Sequence, residues 1–246
     1  MDPVRNHPSA AIVIVGNELL SGRVRDENLA HLAAELWKRG VAVRRVVFVP
    51  DEIDEIAREV AACAGRYDWV ITTGGIGPTH DDVTMEGIAR AFGVPLVRLP
   101  GMERAIRRTF GEDTTEVHLR MALAPEGAGL VHGEPGRWPT VRFRNVFVLP
   151  GIPEVLRRKL HAVLAAIPPG PGFHRRVVHL PGMRENDLAA LLDALVEGHP
   201  EVAIGSYPKP GAVEVTFEGT DEAAVLAAER SFRERLDDAR SGQERG

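Results

Sequence analysis

The sequence predicts an α/β protein, with a doubly wound and mostly parallel sheet followed by a second, small α/β domain. Three observations predict this fold class. Apolar β-branched runs alternate with segments of helical periodicity through the N-terminal half. Polar loops follow three of the predicted strands. The stretch IPPGPGF, residues 167–173, has the composition of a linker.

The first predicted strand is the apolar run at 11–15, which ends at Gly16 and reads as a strand buried on both faces. Apolar residues at helical spacing then predict a helix over 26–40, with Asp26 able to cap it and Gly40 able to end it. The alternation continues with strands at 41–49 and 68–73, helices at 51–65 and 85–92, and an outer strand at 94–99.

The remaining elements are predicted from the same periodicities. Helices are expected at 104–110, 114–123 and 153–166, with a strand at 141–149. Beyond the linker, strand 175–180, helix 184–197, strands 201–206 and 212–218, and helix 221–238 give a βαββα order that is reminiscent of KH-like modules. The predicted organisation is a disordered lead-in (1–9), a large domain (10–167), a linker (168–173) and a small domain (174–240).

Composition excludes several classes of protein. Of the 246 residues 44% are hydrophobic, yet no apolar run approaches the roughly 20 residues that span a bilayer. Cys63 is the single cysteine, so no intrachain disulfide can form, and we expect a cytoplasmic protein without a membrane partner. The net charge of −5 shows no basic excess and argues against nucleic acid as a partner.

The segment TTGGIGPTHDDVT, residues 72–84, is the main candidate for a functional site. Glycines between a strand and a helix can present backbone N–H groups to a phosphate, and the glycines concerned are Gly74, Gly75 and Gly77. Bare carboxylates at Asp81 and Asp82 would repel that phosphate unless they held a divalent cation such as Mg²⁺. The alternative is that one aspartate caps the next helix. His80 borders this loop, either as a ligand contact or as a solvated residue.

Three other polar segments supply further candidates. GNELLSGRVRDEN, residues 16–28, offers Glu18, Ser21, Asp26 and Asn28 for a hydroxyl-rich ligand or a metal, or else only a turn and a capped helix. Asp51 in VPDE is a base, a metal ligand or an N-cap. In LPGIPE, Glu154 is a site acid or a first-turn carboxylate that favours the helix dipole.

These motifs resemble the molybdopterin-binding domain shared by MogA, MoaB and MoeA, and most of all its variant in the N-terminal part of CinA proteins. The resemblance covers roughly residues 10–165. RNVFVLPGIPEVLRRKL and IGSYP are similar to the module fused to eukaryotic FAD synthases. We expect the chain to lack the C-terminal amidase domain of many CinA proteins. VHGEPGRWPTVRFRN departs from the family's Gly-x-Ala-Pro-Gly stretch, which puts ligand contacts of that loop in doubt.

The resemblance implies a three-layer α/β/α sandwich that binds nucleotide or pterin phosphates and forms dimers or trimers. It implies a metal-dependent pyrophosphatase acting on ADP-ribose or FAD, with Mg²⁺, Mn²⁺ or Co²⁺. The alternatives are adenylyl transfer to molybdopterin, or ligand binding without hydrolysis. Asp51, Asp81 and Asp82 would be the catalytic acids, the last two holding metal. The phosphate and pocket contacts would be Glu18, Ser21, Asn28, Gly74, Gly75, Gly77, Pro78, Thr79, Gly151 and Glu154.

Overall fold

The structure is a computed structural model that describes residues 7–134 and 137–243. The chain divides into two compact units, one over Pro8–Gly170 and one that begins at Pro171 and includes His7. Within the part of the chain that is described, no helix has both the length and the apolar character needed to cross a bilayer.

The larger unit is built on a six-stranded sheet with the spatial order β2-β1-β3-β8-β7-β6. The neighbours β2, β1, β3 and β8 run parallel, and β7 and β6 continue the sheet antiparallel. The strands are β1 (Ser9–Val15), β2 (Ala42–Val49), β3 (Trp69–Thr73), β6 (Gly129–Val131), β7 (Thr140–Phe143) and β8 (Val146–Leu149).

Helices cover both faces of this sheet. They are α1 (Asn17–Leu20), α2 (Leu29–Lys38), α3 (Ile53–Ala64), α4 (Thr84–Phe92), α5 (Pro100–Phe110), α6 (Glu116–Arg120) and α7 (Pro153–Ala166). Alternate residues of β1 point to opposite faces: Val13 packs in a core with α3, α4 and α5, whereas Ile12 packs in a second core with α2 and α7. The predicted three-layer, mostly parallel sandwich is therefore confirmed.

Two predicted elements of the larger unit are wrong. The outer strand at 94–99 does not join the central sheet, because β4 (Leu96–Arg98) pairs antiparallel with β5 (Leu123–Pro125) in a separate two-stranded sheet. The single strand predicted over 141–149 is the hairpin β7–β8, which turns at Arg144 and Asn145. Arg144 takes the left-handed conformation at φ 52°, and no glycine marks this turn in the sequence.

The second unit is a three-stranded antiparallel sheet with the order β10-β11-β9. Its elements are β9 (His174–Pro181), α8 (Ala189–Gly198), β10 (Ala203–Lys209), β11 (Ala212–Gly219) and α9 (Glu222–Gln243). The predicted βαββα order is present, and Phe217, Phe232 and Leu195 form part of its own buried core.

The expected lead-in is shorter than residues 1–9. Ser9 already belongs to β1, where its backbone N–H and hydroxyl both donate to Asp68 at 2.7 Å. His7 is buried and its ring stacks on Phe173 with centroids 3.9 Å apart. Residues 1–6, to which the rest of that prediction refers, lie outside the described residues.

Candidate functional site

Four loops leave the carboxyl ends of parallel strands at one edge of the larger unit's sheet. They follow β1, β2, β3 and β8, which places three of the polar segments and LPGIPE side by side. Backbone bonds join them: the Gly16 N–H donates to the Val49 carbonyl at 3.1 Å, and the Gly74 N–H donates to the Leu149 carbonyl at 3.2 Å. The predicted convergence of these loops is therefore observed.

The loop after β3, residues 74–83, begins at a position that only glycine fits. Gly74 has φ 95°, and a Cβ atom there would lie 2.2 Å from the Val15 carbonyl oxygen. Gly151 packs against the same point, because a Cβ on it would lie 3.4 Å from the Gly74 Cα. The backbones of three loops therefore meet closely at this edge.

Asp82 organises the loop after β3 from within. Its Oδ1 accepts the Gly77 N–H at 2.6 Å, and its Oδ2 accepts the Thr79 N–H at 2.8 Å and also the Thr79 hydroxyl. These donors belong to the loop and not to α4, so the alternative that Asp82 caps that helix is wrong. Asp82 is a local acceptor that holds the loop in shape.

Several of the amides expected at a phosphate already have acceptors in the protein. The N–H group of Gly74 donates to the Leu149 carbonyl, and those of Gly77 and Thr79 donate to Asp82. Across the described residues, the N–H groups of Gly75 and Ile76 meet no acceptor, and both residues line the cavity described below. An anion at this edge would therefore meet Gly75 and Ile76 first.

Asp51 connects the loop after β2 to the loop after β1. Its carboxylate accepts the Asn17 N–H at 2.8 Å, and it makes no capping bond to α3, so the N-cap alternative is wrong. Burial raises the pKa of Asp51 above its ordinary value; the Asn17 N–H opposes this, and the charges of Glu18, Asp81 and Asp82 raise it further. The structure thus brings the three predicted catalytic acids and Glu18 into one electrostatic neighbourhood.

The remaining predicted residues have mixed outcomes. The helix begins later than expected, at Leu29 with Asn28 as its N-cap residue, and the Asp26 carboxylate accepts the N–H of Leu29 at 2.8 Å. Asn28 is buried and its Nδ2 donates to the Gly151 carbonyl at 2.7 Å, so it connects α2 to the loop after β8. Ser21 donates to the Glu18 carbonyl at 3.2 Å. Ser21, Asn28 and Glu154 are not among the residues that line the cavity, and neither are His80 and Asp81, which are exposed.

A cavity of about 590 Å³ opens beside these loops, a volume suited to a nucleotide-sized ligand. One side is polar and is formed by Glu18, Asp82, Gly151 and the loop after β3. The apolar part of the lining includes Met85, Leu96, Met102, Met121, Leu123, Trp138, Val141 and Val155. Arg120 and Lys159 are the cationic side chains that line it.

Lys159 and Trp138 are site residues that the sequence analysis missed. The Lys159 Nζ donates to the carbonyl oxygens of Trp138 at 2.8 Å and Pro139 at 2.7 Å, and burial lowers the pKa of Lys159 to about 8. The sequence placed Lys159 only at the basic end of a helix. The helical spacing gave one signal for it. Lys159 lies three residues after Leu156 and next to Leu160 on α7, and both leucines are buried.

Together, the fold and the cavity define an α/β sandwich with a ligand-sized site at the carboxyl edge of its sheet. A family described as probable molybdopterin binding domain matches residues 11–169, and another described as FAD synthase, middle domain matches residues 172–243. The chain therefore belongs to the molybdopterin-binding-domain family, as its motifs predicted.

Individual relatives agree with this assignment. A protein of Archaeoglobus fulgidus is 37% identical over 93% of this chain and 98% of its own length. A probable FAD synthase of Caenorhabditis elegans is 32% identical over 93% of this chain, which corresponds to 50% of the worm protein. The solved structure of the protein CinA from Thermoplasma acidophilum is 32% identical, with a TM-score of 0.60 over 65% of this chain and 98% of that one.

Proposed function

We propose that the protein hydrolyses the pyrophosphate bond of a dinucleotide such as ADP-ribose or FAD with the help of a divalent cation. One observation carries the proposal. Glu18, Asp81 and Asp82 lie close enough to Asp51 for their charges to raise its pKa, and among the described residues no lysine or arginine forms an ion pair with any of the four. Within the same described part of the chain, no three His, Cys, Asp or Glu side chains are grouped closely enough to hold a metal ion by themselves, so a cation here would share its ligands with the bound phosphate and water. A cation between these acids and a diphosphate would offset the negative charge of both.

The carboxylates differ in their fitness to hold a metal. Both oxygens of Asp82 already accept loop donors, whereas the described residues supply one donor to the Asp51 carboxylate and no side-chain donor to Glu18. Glu18 and Asp81 would therefore hold Mg²⁺, Mn²⁺ or Co²⁺ with water and phosphate oxygens, and Asp82 would support the cation by charge while it holds the loop. Asp51 would remain free for proton transfer. Bound metal would polarise a phosphate oxygen and acidify a water molecule.

The protein groups have separate tasks in this proposal. The N–H groups of Gly75 and Ile76 would stabilise charge that develops on the phosphate oxygens. Asp51 would accept a proton from the attacking water, a role to which its raised pKa suits it, because a carboxylate with a higher pKa is a stronger base. The relatives that are named FAD synthase support a nucleotide ligand.

The test is AMP release from ADP-ribose, FAD and NADH, measured with and without Mg²⁺, Mn²⁺ or Co²⁺. We expect turnover of at least one substrate only with metal. Asp51→Asn should lower kcat by roughly 100-fold or more, as expected for loss of a general base. Asp82→Asn should lower turnover together with the melting temperature, because it removes an acceptor that holds the loop in shape. Glu52→Gln, an exposed neighbour outside the cavity, is the matched control. No AMP under any condition would refute hydrolysis.

The second candidate is a nucleotide- or molybdopterin-binding protein without hydrolase activity, including one that takes part in adenylyl transfer. The saturation of both Asp82 oxygens by loop donors favours it, because this acid then serves structure. Tight calorimetric binding without AMP release supports this candidate. AMP transfer that requires ATP and pterin together indicates adenylylation.

The predicted dimer or trimer remains a prediction. It is measured by light scattering of the purified chain.

A further inference from the structure

We infer that Trp138 and Lys159 form a recognition site for the planar ring of the ligand, a fused heterocycle that carries a pyrimidine-type carbonyl, as flavins and pterins do. This inference rests on the proposed function only for the presence of a phosphorylated ligand, and it assigns the apolar side of the cavity to the ring. Four structural features support it.

The first feature is the anchoring of Trp138. Its indole Nε1–H donates to the Thr109 hydroxyl at 2.7 Å, and that hydroxyl donates to the Ala105 carbonyl at 3.0 Å. Phe110 packs edge-on against the indole with centroids 6.1 Å apart. A large aromatic face that lines a cavity and is held in one orientation offers stacking at little entropic cost.

The second feature is the hydrogen-bonding capacity of Lys159. An ammonium group has three N–H donors, and the structure shows two of them on the Trp138 and Pro139 carbonyls. No carboxylate among the described residues forms an ion pair with it. Lys159 also lines the cavity, so the third donor is available to an acceptor on a bound ligand. Burial makes that unused donor costly until it is satisfied.

The third feature is the separation between this site and the loop after β3. Pro139 directly precedes β7, whose Val141 pairs with Val148 of β8, and β8 in turn pairs with β3. Strands lie about 4.8 Å apart, so the start of β7 lies roughly 10 Å across the sheet from the end of β3. The Lys159 amine bonds to the Pro139 carbonyl at that start, so a ligand that spans this interval would meet the amine with a group other than the phosphate held at the loop.

The fourth feature is the chemistry of the cavity beside Trp138. The lining there is mainly apolar, with Met102, Met121 and Leu123 among its residues. Methionine thioethers pack favourably against aromatic rings and adapt to their shape. A second cavity of about 250 Å³ shares Trp138, Val155 and Lys159 with the first.

Calorimetric titration in the presence of Mg²⁺ tests the inference by binding alone, because none of the probes carries a pyrophosphate bond. The probes are FMN, neopterin monophosphate and ribose 5-phosphate, which carries no ring. We expect at least one ring-bearing probe to bind ~10-fold or more tightly than ribose 5-phosphate, since stacking and one charged hydrogen bond each contribute more than a factor of a few. The tighter of FMN and neopterin monophosphate identifies the ring. A sugar phosphate that binds as tightly as both overturns the inference.

The variant Lys159→Met should lower the affinity for that ring-bearing probe by ~10-fold, because it loses one charged hydrogen bond. The affinity for ribose 5-phosphate should stay within a factor of about two. Arg157→Met, which removes the same charge from an exposed site on α7 outside the cavity, is the matched control and should change neither. Equal weakening of the sugar phosphate would show that Lys159 holds phosphate and would overturn the inference. A circular dichroism spectrum that matches that of the wild type verifies the fold of the variant.

Fluorescence gives an independent measurement. FMN that is excited directly in its visible band should lose emission when it stacks on Trp138, because a contacting indole quenches flavin fluorescence by electron transfer, and Trp138→Phe should recover most of that emission. The affinity for FMN should stay within about threefold because phenylalanine retains a stacking face. Quenching that survives in Trp138→Phe would place the ring elsewhere and overturn the inference.

Discussion

Two parts of the molecule line the same cavity but are built in different ways. One is the loop after β3, and the other is the pair Trp138 and Lys159, which forms the Trp138–Lys159 wall. The loop is contiguous in sequence, and its shape depends on short-range bonds from Gly77 and Thr79 to Asp82. The wall joins the residue before a hairpin to the middle of a helix, through bonds that span 20 and 21 residues. One part of a site can therefore be recognised from a sequence motif, while another part is formed only by tertiary packing.

The largest expected effect concerns the entry to the loop. Gly74→Ala should lower the free energy of unfolding by about 3 kcal/mol, because the new methyl carbon would meet the Val15 carbonyl and the φ of 95° is strained for alanine. The control is Gly93→Ala, at φ 64° with open space around it, which should cost about 1 kcal/mol from backbone strain alone. Urea denaturation measures both, and equal costs would remove the argument for close packing at this edge.

The next effect concerns the wall and its pH dependence. Because the pKa of Lys159 is about 8 in the fold and higher when unfolded, the unfolded chain binds more protons between these values, and stability contributed by this residue rises with pH. Between pH 7.5 and 10, the free energy of unfolding of the wild type should therefore rise by about 2 kcal/mol relative to that of Lys159→Met. Denaturation curves at both values measure it, and parallel pH profiles would contradict the buried amine.

The smallest effect concerns the support of the indole. Thr109→Val removes the acceptor of the Trp138 Nε1–H, and Trp138 should then lose part of its fixed orientation. We expect the affinity for the preferred ring-bearing probe to fall by about threefold, with ribose 5-phosphate unaffected. Calorimetry measures it. Thr114→Val, at a half-buried residue outside the cavity whose hydroxyl donates to the Gly111 carbonyl, serves as the control.

The same contrast explains what could be predicted from the sequence. The apolar run of β1 and the leucine spacing of α2 were enough to predict the sandwich fold, because both patterns depend only on neighbouring residues. The turn at Arg144 was missed because no glycine or proline marks it. The hydrogen bond from the Gly77 N–H to Asp82 was also missed, because the sequence shows that backbone amides are present but not which acceptor each of them meets. Lys159 was missed because the Pro139 carbonyl that fixes it lies 20 residues away.

A crystal structure of the protein with FAD and Mg²⁺ tests the central claim most directly, because it locates both ends of one ligand. The account predicts the diphosphate against the N–H groups of Gly75 and Ile76, with the isoalloxazine ring beside Trp138 and a ring carbonyl on the Lys159 amine. A diphosphate bound away from the loop after β3, or a ring that leaves Trp138 and Lys159 without contact, would contradict it.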